Sequence, residues 1–121
     1  MAETQTKATK TKATATCPHC AAPVDGRKAV AVDPEIKQSN LRRLRRIEGQ
    51  LRGIHKMVEE DRYCADIIVQ VASAQEALRG VARAIMRNHL KHCATRAISS
   101  GAEQAESMYD ELLELIYKHL R

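Results

Sequence analysis

The sequence contains no Phe and no Trp, and its aromatic residues are Tyr63, Tyr109 and Tyr117. A core built from it must be aliphatic, and no aromatic platform is available for stacking nucleic-acid bases. That argues against RNA-recognition and single-strand-binding folds. No run approaches the roughly 20 apolar residues of a membrane span, and the start lacks the apolar segment of a signal peptide. The sequence therefore reads as cytoplasmic, with no membrane partner. Its four cysteines, Cys17, Cys20, Cys64 and Cys93, are then kept as thiols, which points to metal or redox chemistry rather than a disulfide framework. Signs of catalysis are missing too: there is no strand-turn-helix nucleophile motif and no phosphate loop, so the chain does not read as an enzyme. A length of 121 residues leaves room for one ordinary domain and a tail.

What the sequence does have is positive charge, unevenly placed. Lys and Arg number 20 against 15 Asp and Glu, a net +5. Met1 to Arg62 carries 13 basic and 8 acidic residues, whereas Tyr63 to Arg121 carries 7 of each. The whole excess lies in the first half, and a localised basic surface for phosphate is the natural reading.

Residues 1–16, MAETQTKATKTKATAT, hold six Thr, four Ala and three Lys with Met1 as the one large apolar residue. Such a segment cannot bury enough surface to offset the entropy of ordering. We read residues 1–33 as a disordered tail bearing Cys17-Pro-His-Cys20, and residues 34–121 as one helical domain. Asp33-Pro34 marks the helix start, an Asp cap followed by Pro at the first helical position.

From there the periodicity is helical. Leu44, Ile47, Leu51, Ile54 and Val58 recur every three or four residues and predict a first helix to about Glu60. Gly49 and Gly53 within it suggest a close helix contact, since each costs about 1 kcal/mol relative to Ala in an exposed helix interior. Ile67, Val71, Ala74, Leu78, Val81 and Ile85 keep the same rhythm in a second helix from near Tyr63 to about Cys93. After Ser99-Ser100-Gly101, a third helix places Ala105, Met108, Leu112 and Leu115 on one face, with Leu113, Ile116 and Leu120 beside it. The fold class is all-α, a three-helix protomer. A monomer cannot cover stripes this long, so helices are expected to be shared between subunits in an obligate oligomer.

Three soft or borderline metal ligands fall on the second helix. His89 and Cys93 are four apart and project from one face, so an imidazole and a thiolate can meet one ion. Cys64 lies 25 residues before His89, about 37 Å along a continuous helix, and cannot complete that site within one chain. Antiparallel two-fold pairing of the helix resolves this by bringing Cys64 of one chain to His89 and Cys93 of the other, twice per dimer. Two thiolates and one imidazole suit Cu(I), and Zn(II) could use them with a fourth ligand. His92 points about 100° away from Cys93 and is read as solvated, with a role as alternative ligand the other reading.

Between Ile36 and Lys56 stand Lys37, Arg42, Arg43, Arg45, Arg46, Arg52 and Lys56 against the single acid Glu48. With Leu44, Ile47 and Leu51 inward, these arginines present a cationic face able to contact phosphate bidentately. No short helix-turn-helix spacing is evident.

Three stretches then point to a family: Leu44-Arg45-Arg46-Ile47-Glu48-Gly49-Gln50-Leu51, Tyr63-Cys64-Ala65-Asp66-Ile67-Ile68-Val69-Gln70 and Asn88-His89-Leu90-Lys91-His92-Cys93. Together, over about residues 36–120, the chain resembles the copper-sensitive operon repressors (CsoR), metal-sensitive transcriptional repressors with nickel/cobalt- and formaldehyde-responsive relatives. The resemblance implies a disc-shaped dimer of dimers with a four-helix-bundle core in each dimer. It implies binding to operator double-stranded DNA when free of effector, and release when the effector binds. It also implies Cys64, His89 and Cys93 as the ligand set of the copper branch. The nickel/cobalt branch has a His at the position aligned with Val32 and another in place of Cys93, and neither is present here. The persulfide-sensing branch has Cys where this chain has His89, and the formaldehyde branch usually lacks a Cys at 93. Cu(I) leads as effector, with Ni(II), Zn(II), a thiol or an aldehyde as alternatives. By similarity, Tyr63 and Glu111 support the ligands, Glu111 through an apparent two-residue insertion, and Arg43 and Arg83 match DNA-binding positions. The departure is Cys17-Pro-His-Cys20, half of a zinc-ribbon pattern, which could pair with the same motif of another subunit, hold a second metal such as Zn(II) or act as a redox dithiol, with a mobile tail of no essential role as the alternative. A helical copper store or chaperone is the rival from another class, though a store has no need of the arginine-rich helix.

Overall fold

The computed structural model describes residues 26–119. Four α-helices and one π-helical segment follow in order: α1 (Pro34–Glu59), α2 (Cys64–Asn88), the π segment (His89–Ala94), α3 (Thr95–Ser99) and α4 (Ala102–His119). No strand occurs among the described residues. Because α2, the π segment and α3 run on without a break, the protomer consists of three helical rods, as the hydrophobic periodicity predicts.

The Asp33 side chain caps α1 by accepting from the Glu35 backbone N–H at 2.9 Å, and Pro34 fills the first turn, where a missing N–H costs nothing. At its other end the Arg62 N–H reaches the Met57 carbonyl and the Asp61 N–H reaches that of Val58. This is a Schellman closure with Asp61, at φ 51°, in the left-handed position usually given to glycine. The tight turn folds α2 back antiparallel on α1.

The second rod is longer than the predicted end near Cys93, extending to Ser99 because nothing in the sequence breaks it before Gly101. Its π segment has one residue too many per turn for α-type bonding. The Thr95 hydroxyl donates to the carbonyl of Leu90 at 2.8 Å, five residues back, and the hydroxyls of Ser99 and Ser100 donate to the carbonyls of Thr95 and Arg96. At Gly101, φ +133°, the chain reverses in a conformation that side chains rarely adopt, and α4 packs back against α3.

The hydrophobic stripes split in two. On α2, Ala74 and Val81 are buried against α1, while Val71, Leu78 and Ile85, the intervening members of the same rhythm, are exposed. On α1, Ile47 is 3% exposed and Ile54 half-buried, but Leu51 and Val58 are about half exposed, at 51% and 56%. In α4, Ala105 and Met108 are buried, whereas Leu113 and Ile116 are not. Each rod therefore spends half of its seam inside the protomer and leaves the other half open. Gly49 and Gly53 meet no atom within 4 Å of an added Cβ, so the close contact suggested by their spacing does not occur within the protomer.

Candidate metal centre

Asn88, the last residue of α2, is buried and faces the chain ahead of α1. Its Oδ1 accepts from the Asp33 N–H at 2.9 Å, and its Nδ2 donates to the Ala31 carbonyl at 3.0 Å. This amide fork pins residues 31–33 beside the start of the π segment. The arm continues so that Arg27, Lys28, Ala29 and Val30 form one wall of a cleft of about 470 Å³, opposite His89, Cys93 and Glu111. Sequence reasoning placed residues 26–33 in the tail and gave them no site contact. Among these residues, Ala31 and Asp33 are hydrogen-bonded to the helical unit, through pairs 57 and 55 residues apart that no local pattern reveals.

Within the cleft, the His89 side chain is mostly buried and its Nε2 makes no hydrogen bond. Glu111 Oε1 lies 3.3 Å from that nitrogen but outside hydrogen-bond geometry, and Arg27 stands 3.9 Å from the other carboxylate oxygen. A buried ring nitrogen without a partner is costly, and a ligating imidazole usually directs its second nitrogen to a carboxylate. A small rotation of the ring or carboxylate would form that bond and leave Nδ1 for a metal. Cys93 is half-buried in the same cleft, as expected for a residue one turn from His89. His92, read from the sequence as solvated, is half-buried in the π segment.

Cys64 is elsewhere. It begins α2 and is exposed, as is Tyr63 beside it, which lies 74% open. A helix of 25 residues separates Cys64 from the cleft, about 37 Å at 1.5 Å per residue. Among the described residues of one protomer, no three His, Cys, Asp or Glu side chains come together to hold a metal. One face connects the parts: Cys64, Val71, Leu78 and Ile85 follow at intervals of seven along the open side of α2. Cys17 and Cys20, with the Zn(II) expected there, lie outside the described residues.

The predicted DNA-contacting residues separate into two groups. Arg42, Arg45, Arg46 and Arg52 are exposed along α1. Arg43 instead crosses to α2, where its Nη1 donates to the Gly80 carbonyl at 3.3 Å, and it lines a groove together with Arg83.

No helix among the described residues is long and apolar enough to cross a membrane. The copper-sensing transcriptional repressor RicR of Mycobacterium tuberculosis is 42% identical over 85 residues, covering 70% of this chain and 88% of that protein. The copper-sensing transcriptional repressor CsoR of Bacillus subtilis is 49% identical over 76 residues, covering 63% of this chain and 73% of that protein. The crystal structure of the copper-sensing repressor CsoR with Cu(I) from Geobacillus thermodenitrificans matches with a TM-score of 0.67 at 38% identity, over 76% of this chain and 94% of that one. The model of the metal-sensitive transcriptional repressor family matches residues 36–118, nearly the whole helical unit described above. These agreements in sequence and in fold show a regulator rather than an enzyme: the chain belongs to the metal-sensitive transcriptional repressor family.

Proposed function

We propose that the helical unit, residues 34–121, is a Cu(I)-responsive repressor that binds operator duplex DNA when metal-free and releases it when Cu(I) binds between subunits. The ligands are Cys64 of one subunit and His89 and Cys93 of the other. The observation that carries this reading is the incompleteness of the site in one protomer. His89 and Cys93 share a cleft, Cys64 lies a helix length away, and the open seam of Val71, Leu78 and Ile85 joins the two places. Pairing α2 antiparallel across that seam completes two equivalent sites and covers the apolar side chains together. A second pairing through the open faces of α4 and α1 gives the dimer of dimers.

The residues fit Cu(I) chemically. Two thiolates and an imidazole are a soft, low-coordinate set, and Cu(I) between two thiolates is a net anion. Arg27, Lys28 and Arg96 outnumber Glu111 around the cleft, an arrangement that favours such an anion over the neutral Zn(II) equivalent. Tyr63 and Glu111 orient the ligands, Glu111 through His89 Nε2. The same family relatives named for copper sensing support this choice of ion. The exposed Arg42, Arg45, Arg46 and Arg52, with Arg43 and Arg83, supply phosphate contacts.

Linkage sets the energetic requirement. A coupling of about 1 to 3 kcal/mol changes operator affinity roughly 5- to 150-fold, and DNA must weaken Cu(I) binding by the same factor. The test is an anaerobic Cu(I) titration of the operator complex with wild type and with Cys64→Ala, His89→Ala and Cys93→Ala. Each variant is expected to bind operator and to fail to release it. Normal release by all three variants would show the site to be wrong, and absence of specific DNA binding by wild type would favour a copper store.

A further inference from the structure

The metal cleft is larger and more basic than one ion requires. Bonds of roughly 2.0 to 2.3 Å hold a metal close against its ligands, yet the cleft containing His89 and Cys93 has a volume of about 470 Å³, the size of a site for a small organic molecule. Arg27 and Lys28 of the arm and Arg96 of α3 line it, against the single carboxylate of Glu111. Arg27 stands 3.9 Å from that carboxylate, whereas Lys28 and Arg96 have no carboxylate partner among the described residues. Both are fixed to this place by the fold. Arg96 follows Cys93 by three residues on the same rod, and the arm that carries Lys28 is pinned at Ala31 and Asp33 by the Asn88 amide. Ammonium and guanidinium groups have no lone pair to give a metal, so these two cations recognise something other than the bare ion.

Resting on the repressor reading above, we propose that the cleft recognises the molecule that delivers Cu(I), a complex of the ion with a small thiol bearing carboxylates. Lys28 and Arg96 bind the carboxylates, and Cys93 is the entering ligand. Cu(I) is a soft ion that thiolates hold in preference to water, so wherever small thiols are abundant it is presented to a protein as an anionic bis-thiolate complex. Arg96 offers a carboxylate two parallel N–H donors, and Lys28 a mobile point charge. In the bound complex the Cys93 sulfur forms a bond to Cu(I) as one bond from the ion to a small thiolate breaks, and the Cys93 proton leaves on the departing sulfur. Cys64 of the other subunit displaces the second thiolate in the same way, and His89 adds a ring nitrogen. One bis-thiolate anion is thereby exchanged for another and two small thiols are released. The ion remains Cu(I) throughout, so the exchange needs no oxidant or reductant.

The experiment times anaerobic Cu(I) uptake by the metal-free protein from two donors, Cu(I) held by glutathione, which bears carboxylates, and Cu(I) held by 2-mercaptoethanol, which bears none. Uptake is stopped at intervals by a chelator that strips the donor but not the protein. The quantity read is the ratio of the two rates at matched free Cu(I), in which any effect of a substitution on the bound ion cancels. Lys28→Gln and Arg96→Gln should each lower the ratio about fivefold, the upper end for one exposed ion pair, and the double variant about 25-fold. Lys28→Arg keeps the charge and should keep the wild-type ratio. Arg79→Gln removes the same charge outside the cleft, from a residue paired with Glu76, and should leave the ratio unchanged. Far-UV circular dichroism and Cu(I) stoichiometry verify the fold of each variant. A wild-type ratio in the double variant would overturn the proposal, and so would an equal fall in Arg79→Gln, which would mark general attraction to a basic protein. Failure of the underlying site has a separate signature, Cys64→Ala holding Cu(I) as tightly as wild type whatever the ratio.

Discussion

Mixing two defective proteins should restore Cu(I) binding, by an amount that follows from the placement of Cys64. Within a protomer this thiol is about 37 Å from the start of the π segment, against metal–ligand bonds of roughly 2.0 to 2.3 Å. No side-chain motion closes such a gap, so Cys64→Ala and Cys93→Ala each remove a ligand from both sites of a homodimer. Combined one to one with free exchange of subunits, about half of the dimers are mixed, by the combinatorics of a two-fold pair. In each mixed dimer one site lacks both thiols. The other draws Cys64 from the Cys93→Ala chain and Cys93 from the Cys64→Ala chain, and is whole. About one quarter of all sites should therefore regain wild-type affinity. The assay is anaerobic titration against a Cu(I) chelator strong enough to strip either parent, with exchange verified by native mass spectrometry of differently tagged chains. Recovery indistinguishable from zero, once exchange is verified, would refute the shared site. So would tight, stoichiometric Cu(I) binding by either parent alone.

Replacing Asn88 by Ala removes two hydrogen bonds from a buried amide and frees the 31–33 arm; at about 1 kcal/mol each, chemical denaturation at fixed protomer concentration should show a loss of about 2 kcal/mol. A loss below about 0.5 kcal/mol would mean that the arm is held by other contacts. Asp61→Gly relieves a left-handed residue at the end of α1 and should raise stability by about 1 kcal/mol, whereas Asp61→Val should lower it by more. Gly49→Ala and Gly53→Ala place a methyl group where no atom lies within 4 Å, so each should stabilise by up to about 1 kcal/mol. Thermal melts with sedimentation check both effects, and a fall in oligomer size would locate a close approach between subunits at these glycines.

The features legible in the sequence are those fixed by neighbours in the chain. Asp33-Pro34 specifies the start of α1 through a cap and a missing N–H, both local, and the structure places the helix there. The one-turn spacing of His89 and Cys93 places both in one cleft even though the helix widens there. The π segment itself was not legible. Its sequence, His89-Leu90-Lys91-His92-Cys93-Ala94, holds no Pro or Gly, and the Thr95 hydroxyl that meets the Leu90 carbonyl is an ordinary helix residue. The place of the turn after α1 is legible in the break of rhythm between Glu60 and Tyr63, but its left-handed geometry is not, because Asp61 stands where a Gly would have announced it. The arm over the cleft depends on Asn88 reaching 55 and 57 residues back, a pairing with no periodic signature.

The hydrophobic rhythm was legible, but not the division of its members between two interfaces, and that division links stability to function. Inside the protomer α2 offers α1 the small or branched Ala74 and Val81; it leaves outside Val71, Leu78 and Ile85. Small residues allow the two helices to approach closely, but they contribute little burial. The larger share remains on the open seam, where covering three side chains already about half exposed is worth about 1 kcal/mol each. That seam starts at Cys64 and leads to the π segment. Pairing the helices there would bury what the protomer leaves open and bring the third ligand to the other two with the same motion. A metal that tightened the ligand set would then act on a contact to which these three side chains bring about 3 kcal/mol. Its effect would be transmitted as a shift of whole helices rather than as a local adjustment of side chains.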